Sequence, residues 1–380
     1  MKKPGILVFV LTALGVTNET HSGHEIPIYP SYYPQEIRIE SVDPVSAAGL
    51  LLEAKIHAYV GDEIAFEKAI PESIGYVESL GSFIVLSLNP ASPLAAGEKS
   101  ACTITRTIVS ALAEAKDRFF FHPYPVNPFH ADYLHYFDLA DAAKQTYLHG
   151  SVAAPSPQLK VRAKGKIASE LVRTRWPTQV SAWDATVEQI AAGDLVASHM
   201  FNVNGWLGPP WVKEGWFHAY LLLAGTLSQP STRHRADLNL RRLQTGDYNG
   251  MVEKINIERE LLSLLTRNCR RVIVGYTAKK EYFNSDYSAG IENIAFDSHA
   301  GFNSPIFIRT VKLKDLPWNG WLRLGTNATP SSAWNPMAGF IDNAGRLIWF
   351  TLGDPALFPA PYNASWVLNR IGDVQSTLGK

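Results

Sequence analysis

Tyr248-Asn249-Gly250-Met251-Val252-Glu253-Lys254-Ile255-Asn256-Ile257-Glu258-Arg259-Glu260-Leu261-Leu262-Ser263-Leu264-Leu265-Thr266-Arg267 is followed by Asn268-Cys269-Arg270 and then by Arg271-Val272-Ile273-Val274-Gly275-Tyr276. In the first part Val252, Ile255, Leu262 and Leu265 recur at helical spacing, which puts them on one stripe. The second part is a β-branched run and reads as a strand. A helix feeding directly into a strand marks a mixed chain, and the same mixture extends in both directions.

Upstream, the spacing predicts a helix over 214–223, a short helix over 184–192 stopped by Gly193, and a strand over 159–167. Further back, Asn127-Pro128 predicts a helix carrying His130 to Lys144. Phe119-Phe120-Phe121 reads as a short strand. A helix over about 97–116 has Ile104, Ile108, Leu112 and Ala115 on one stripe, and Ser82 to Leu88 reads as a buried strand. Asp43-Pro44 is an N-cap followed by proline at the first helical position, predicting a helix over 45–59 that ends at Gly61. Ile37 to Val42 alternates apolar and polar, as a half-buried strand does. Downstream the pattern turns strand-like. Residues 306–313 alternate, and Gly339-Phe340-Ile341 is expected to pair with Leu347-Ile348-Trp349-Phe350 across Asp342-Asn343-Ala344-Gly345 as a hairpin. The expected fold class is α+β: mixed α/β elements in the first two thirds and a β-rich C-terminal part. The alternation is too irregular for a doubly wound parallel sheet.

The chain begins Met1-Lys2-Lys3, continues with an uncharged apolar run from Ile6 to Val16, and turns polar at Thr17-Asn18-Glu19-Thr20-His21. That is the layout of a secretory signal peptide. The run is shorter than the roughly 20 residues a membrane-spanning helix needs. The expectation is an exported protein, periplasmic or extracellular, soluble and with no transmembrane segment after signal removal. The remaining length suggests two domains. Gly150-Ser151-Val152-Ala153-Ala154-Pro155-Ser156-Pro157 is the best linker. It gives a signal peptide over 1–20, an N-terminal α/β domain over 21–150 and a C-terminal α+β domain with a β-rich tail over 158–380.

Thirty-five basic residues balance 35 acidic ones, and no basic cluster exceeds a pair, which argues against a nucleic-acid partner. The two cysteines, Cys102 and Cys269, would be permitted to pair in an oxidising compartment; spacing alone leaves them open as a disulfide or two buried thiols. There is no GxGxxG, P-loop, HExxH, GxSxG or SxxK motif, and no cofactor is expected.

Three clusters could carry chemistry. Gly205 to His218 places Trp206, Trp211 and Trp216 on a Gly/Pro-punctuated loop entering a helix, with Lys213 and Glu214 between them. Such rings either plug a core or offer flat faces to sugars or quaternary amines. Phe121 to Asp138 holds His122, His130, His135, Asp132 and Asp138. On a regular helix His130 and His135 point apart, so no metal is expected there, and His135 bonded to a neighbouring acid is the plainer reading. Tyr287 to Pro305 gathers Asp297, Ser298, His299 and Asn303 on a glycine-bounded loop.

No motif identifies a function. The first expectation is recognition of a small-molecule ligand, solute-binding in type, through Trp206, Trp211, Glu214, Trp216, Asp297, His299 and Asn303. The alternatives are an exported hydrolase acting on an envelope or extracellular substrate, and an envelope assembly protein with a protein partner.

Overall fold

The computed structural model describes residues 34–61, 63–67, 69–115, 118–148, 159–176, 182–197, 209–318, 320–327, 329, 343–353, 356–369 and 371. The expected signal segment, the 150–157 linker and Trp206 lie outside them. In chain order the elements are β1 (Glu36–Ser41), α1 (Pro44–Leu52), β2 (Ala58–Val60), β3 (Ile74–Leu88), α2 (Glu98–Ala113), β4 (Phe120–Phe121), α3 (Phe137–Leu148), β5 (Val161–Lys164), α4 (Lys166–Arg173), β6 (Ala185–Ala191) and α5 (Ala192–Ala197). Then come α6 (Gly215–Leu223), α7 (Pro230–Thr245), α8 (Met251–Thr266), β7 (Arg271–Asn284), β8 (Ile291–Glu292), α9 (Pro305–Thr310), β9 (Lys312–Leu313), β10 (Trp321–Thr326), α10 (Asn343–Leu352), β11 (Leu357–Pro359) and β12 (Trp366–Leu368). The fold is mixed α/β. No helix of the described residues is long and apolar enough to cross a membrane.

One sheet organises these elements, in the order β1-β10-β2-β7-β3-β6-β5, with β4 also on β7. Its centre is the antiparallel pair β3–β7. Helices cover both faces there, which is why β3 reads as a continuous apolar run rather than an alternating one. Phe83 and Val85 face the core built by α6, α7 and α8, with Trp216, Leu243, Leu261 and Leu265. Ile84, Leu86 and Leu88 face the opposite core, with Ile108, Leu112, Leu171 and Val172 from α2 and α4. Strands from before and after residues 150–157 interleave: β1 pairs with β10, and β3 with β7. Cys102 of α2 is disulfide-bonded to Cys269, at the turn between α8 and β7.

The structure corrects several local expectations. The helix expected over 45–59 stops at Leu52. Ala54 takes a left-handed φ of 53°, and the chain re-enters the sheet as β2. Within the helix expected over 184–192, Ala185–Ala191 form strand β6 instead, because Val187 packs on Val85's neighbours across the β3 ladder; Ala192 and Gly193 then lie inside α5. The helix expected from Pro128 begins only at Phe137. Asn127 Oδ1 accepts from Phe129 N (3.0 Å) and holds a turn instead. The alternation over 306–313 resolves into α9 and the two-residue β9; Pro305 at the first helical position and burial on all sides override the period-2 pattern. The 339–350 hairpin does not form as expected, because 343–352 is α10. α7 was not anticipated: its sequence is polar nearly all round, so no apolar stripe announces it.

A β-bulge lies in β3 beside the candidate site. Leu80 pairs with Ala278 and Ser82 with Thr277, leaving Gly81 as the extra residue. A Cβ at Gly81 would sit 2.8 Å from Thr277 Oγ1. The bulge frees the Leu80 amide to donate to Ser298 O (2.8 Å), which fastens the 297–301 turn to the sheet.

Candidate functional site

The three clusters read from the sequence meet in space. The Phe121–Asp138 cluster contributes His130 and Asp132. Asp132, 1% exposed, accepts from the amides of Gly215 (2.6 Å) and Trp216 (3.3 Å). It therefore satisfies two orphan donors at the start of α6 from a different part of the chain. Burial pushes its carboxyl up to about 8. Gly215 is required there, since a Cβ would lie 2.5 Å from Val126 Cγ1.

The tryptophan cluster is tied to α8. Trp216 is fully buried and donates its indole N–H to Glu214 Oε2 (2.6 Å). The other oxygen of Glu214 pairs with Lys254, which lies 3.3 Å from Glu258 Oε1. Glu258 Oε2 accepts from His135 Nδ1 (2.9 Å) and from the Tyr136 hydroxyl (3.0 Å). Burial, with Glu258 nearby, raises the Glu214 carboxyl even though Lys254 opposes the shift. Burial works against the charge on Lys254, but Glu214 and Glu258 outweigh it and hold the ammonium above its ordinary range.

The third cluster joins through Lys213 and His218. Lys213 Nζ forms a buried ion pair with Asp297 Oδ2 and also donates to Ala360 O. Asp297 Oδ1 accepts from His299 N (2.9 Å) and Ala300 N (3.0 Å), forming the turn that closes between Asp297 and Gly301. Gly301 has φ +64°, and a Cβ there would fall 1.6 Å from Glu281 Oε2. That carboxylate is fully buried and accepts from Phe302 N (2.8 Å) and Gly61 N (2.5 Å).

Three imidazoles pack where these segments touch. His130 and His218 rings are 4.8 Å apart, His218 and His299 5.1 Å, and His130 and His299 5.4 Å, with Phe83 stacked on His130. The hydrogen bonds fix two tautomers. Asn127 N–H donates to His130 Nδ1 (2.9 Å), so Nε2 of that ring carries the proton and donates it to His218 Nδ1 (3.1 Å). His218 Nε2–H then donates to Val212 O (2.9 Å). Burial holds His218 down at about 4. It also holds His130 and His299 well below the usual range, assisted at His130 by His218 and His299, and at His299 by His218 and Lys213. Among the described residues, the buried His299 Nε2 has no hydrogen-bond partner. Among the described residues no three His, Cys, Asp or Glu groups are arranged to hold a metal.

Of the residues expected to form a ligand site, Glu214, Trp216 and Asp297 are buried, and Trp211, His299 and Asn303 are partly exposed. Trp211 lies against Trp216 (5.9 Å) and Phe217 (4.8 Å). Asn303 N donates to Ala300 O (3.2 Å). Sequence reasoning missed Lys254 and Glu258. The available signal was Glu258 itself, a carboxylate standing among the apolar positions of α8.

Fold and site together define a mixed α/β protein in which three distant segments lock around a sealed polar centre. No family model matches this chain, and no curated protein matches it. Among solved structures it is similar to NikZ from Campylobacter jejuni in complex with Ni(L-His), at 12% identity and TM-score 0.36 over 68% of this chain and 58% of that one. It is similar to the ABC transporter-associated periplasmic binding protein DppA from Helicobacter pylori in complex with peptide STSA, at 12% identity and TM-score 0.40, covering 72% and 56% of the two chains. It is also similar to Haemophilus influenzae OppA in complex with RPPGFSPFR, at 8% identity and TM-score 0.41, covering 71% and 56%. The chain thus spans less than two thirds of the length of each.

Proposed function

We propose that this chain is an exported protein, acting in the periplasm, that binds a small-molecule ligand where the tryptophan loop meets the 297–303 turn. The observation carrying this reading is the Lys213–Asp297 ion pair, reinforced by the His218–His299 ring contact, which joins two loops 84 residues apart in the sequence. Trp211, His299 and Asn303 are the members with exposed surface, and they contact the ligand. Trp216, Glu214 and Asp297 stand behind them and hold the wall in place. The partly exposed Trp211 ring offers an apolar face, and the partly exposed His299 and Asn303 supply polar side chains, the combination small-molecule sites use. Trp206 belongs to the same loop by sequence. A signal peptide over 1–20 belongs to the same proposal, with no cofactor and no nucleic-acid partner.

Native mass spectrometry of the protein taken from its own cell envelope tests this reading. The expected result is a mature mass cut between about Gly15 and His24, with a retained small molecule whose occupancy falls in Trp211→Ala and His299→Ala. An intact Met1 terminus in the membrane pellet overturns the export, and occupancy unchanged in both variants overturns the site.

A further inference from the structure

Away from that centre, a cavity of about 390 Å³ opens between the start of α2, the start of α7 and the end of α8. Its charged lining is Arg267, Arg270 and Glu98, and its polar lining includes Gln229, Thr232 and Asn268. The turn bearing the arginines is rigidly placed. Cys269 is bonded to Cys102 and its carbonyl accepts from Thr105 Oγ1 (2.7 Å). Asn268 Nδ2 donates to Thr226 O (3.0 Å), and Arg270 O accepts from Leu88 N (2.8 Å). The guanidiniums, in contrast, are unspent. Among the described residues, Arg267 has only a 3.5 Å contact to Ser263 Oγ, and the half-buried Arg270 side chain has no hydrogen-bond or ion-pair partner. Among the described residues Glu98 likewise has no ion-pair partner. The first amides of α7, uncapped by the Gln229 side chain, add partial positive charge to the same cavity.

We propose that this cavity is a second binding site, for a small dicarboxylate bearing an ammonium group: each carboxylate meets one arginine, and the ammonium meets Glu98. Arginine suits this role because its planar fork matches a carboxylate with two parallel hydrogen bonds. The disulfide is the staple that keeps the arginine turn facing α2.

Isothermal titration calorimetry on the full-length protein tests the site with L-glutamate as probe and glutarate, which lacks the ammonium, as comparison. The expected result is saturable binding of both, weakened about tenfold or more by Arg270→Ala and by Arg267→Ala. Glu98→Gln is expected to weaken glutamate and leave glutarate unchanged or tighter. Trp211→Ala is expected to leave both isotherms as they are, which separates this site from the one proposed above. Absence of saturation by either probe up to about 10 mM, a dissociation constant beyond the millimolar range, overturns the proposal. So does glutamate binding within about twofold of wild type in both arginine variants with unchanged circular dichroism. A Glu98→Gln effect equal for the two probes overturns the role of the ammonium.

Discussion

Acid should destabilise this protein through His218, and the size of the effect follows from its surroundings. The residue is fully buried. Its Nε2–H is committed to Val212 O and its Nδ1 lone pair to the proton on His130. A second proton can enter only by displacing that bond and placing a charge in the core. The folded group therefore titrates near 4, against 6.5 when unfolded. The unfolded state binds more protons across that interval, so stability is complete above about 6.5 and is lost as pH falls through about 4. From pH 7 to pH 5 the loss from this one ring is about 2 kcal/mol. The whole-protein curve does not isolate it. The Asp132 carboxyl, raised to about 8, and the raised Glu214 carboxyl favour the folded state as pH falls. The decisive comparison is His218→Gln, which keeps an acceptor for His130 and a donor for Val212 but cannot titrate. Urea unfolding followed by tryptophan fluorescence at pH 7 and pH 5 gives four stabilities. The wild-type drop between the two pH values should exceed that of the variant by about 2 kcal/mol, whatever the variant's own baseline. Drops equal to within about 0.5 kcal/mol would refute the claim that this imidazole is held neutral by burial and committed hydrogen bonds.

Other perturbations separate packing from function. Trp216→Ala should cost about 3–5 kcal/mol of stability by opening a cavity and stranding Glu214, whereas Trp211→Ala should cost well under that; paired thermal melts check the contrast. Gly301→Ala should cost about 2 kcal/mol or more, because it forces a side chain into a left-handed position beside the buried Glu281 carboxylate; its denaturation midpoint should shift accordingly. Breaking the Cys102–Cys269 bond by Cys102→Ser, Cys269→Ser removes a cross-link spanning 167 residues, worth about 5 kcal/mol in the chain-entropy model before strain, measurable by chemical denaturation.

The sequence made the central elements legible and the periphery misleading, for physical reasons. α8 and the start of β7 are long and strongly patterned, and both appear where the spacing put them. Residues 184–192 were misread because β6 pairs with β3 along its whole length; the tertiary ladder overrides a helical-looking composition. α9 carries an alternating pattern because all six of its residues are buried, so burial holds no information about period. α7 was invisible for the opposite reason. Of its 16 residues only Ala236, Asn239 and Leu243 are buried, and its other faces are polar. The chemistry-bearing clusters were found as clusters, but their relation was hidden. Lys213 and Asp297 are 84 residues apart, and His130 and His218 are 88 apart. No local spacing can encode such pairs.

That hidden relation changes what the polar residues mean. Each cluster, taken alone, holds groups too polar for a core and too aromatic for an ordinary surface. Together they neutralise one another: Lys213 against Asp297, and Lys254 between Glu214 and Glu258, while Asp132 meets the uncapped amides of α6. A buried pair of this kind adds little net stability compared with apolar residues of the same volume, but removing one partner strands the other at a cost of about 3–5 kcal/mol. The arrangement therefore acts less as a source of stability than as a constraint. The tryptophan loop cannot move away from the 297–303 turn without exposing a lone lysine and a lone aspartate. The ligand wall proposed on Trp211, His299 and Asn303 would be held in place before a ligand arrives, so the ordering of these loops would not be charged against the binding free energy. The polar centre and the proposed site are then two faces of one device. The sealed groups fix the geometry, and the few that reach solvent use it.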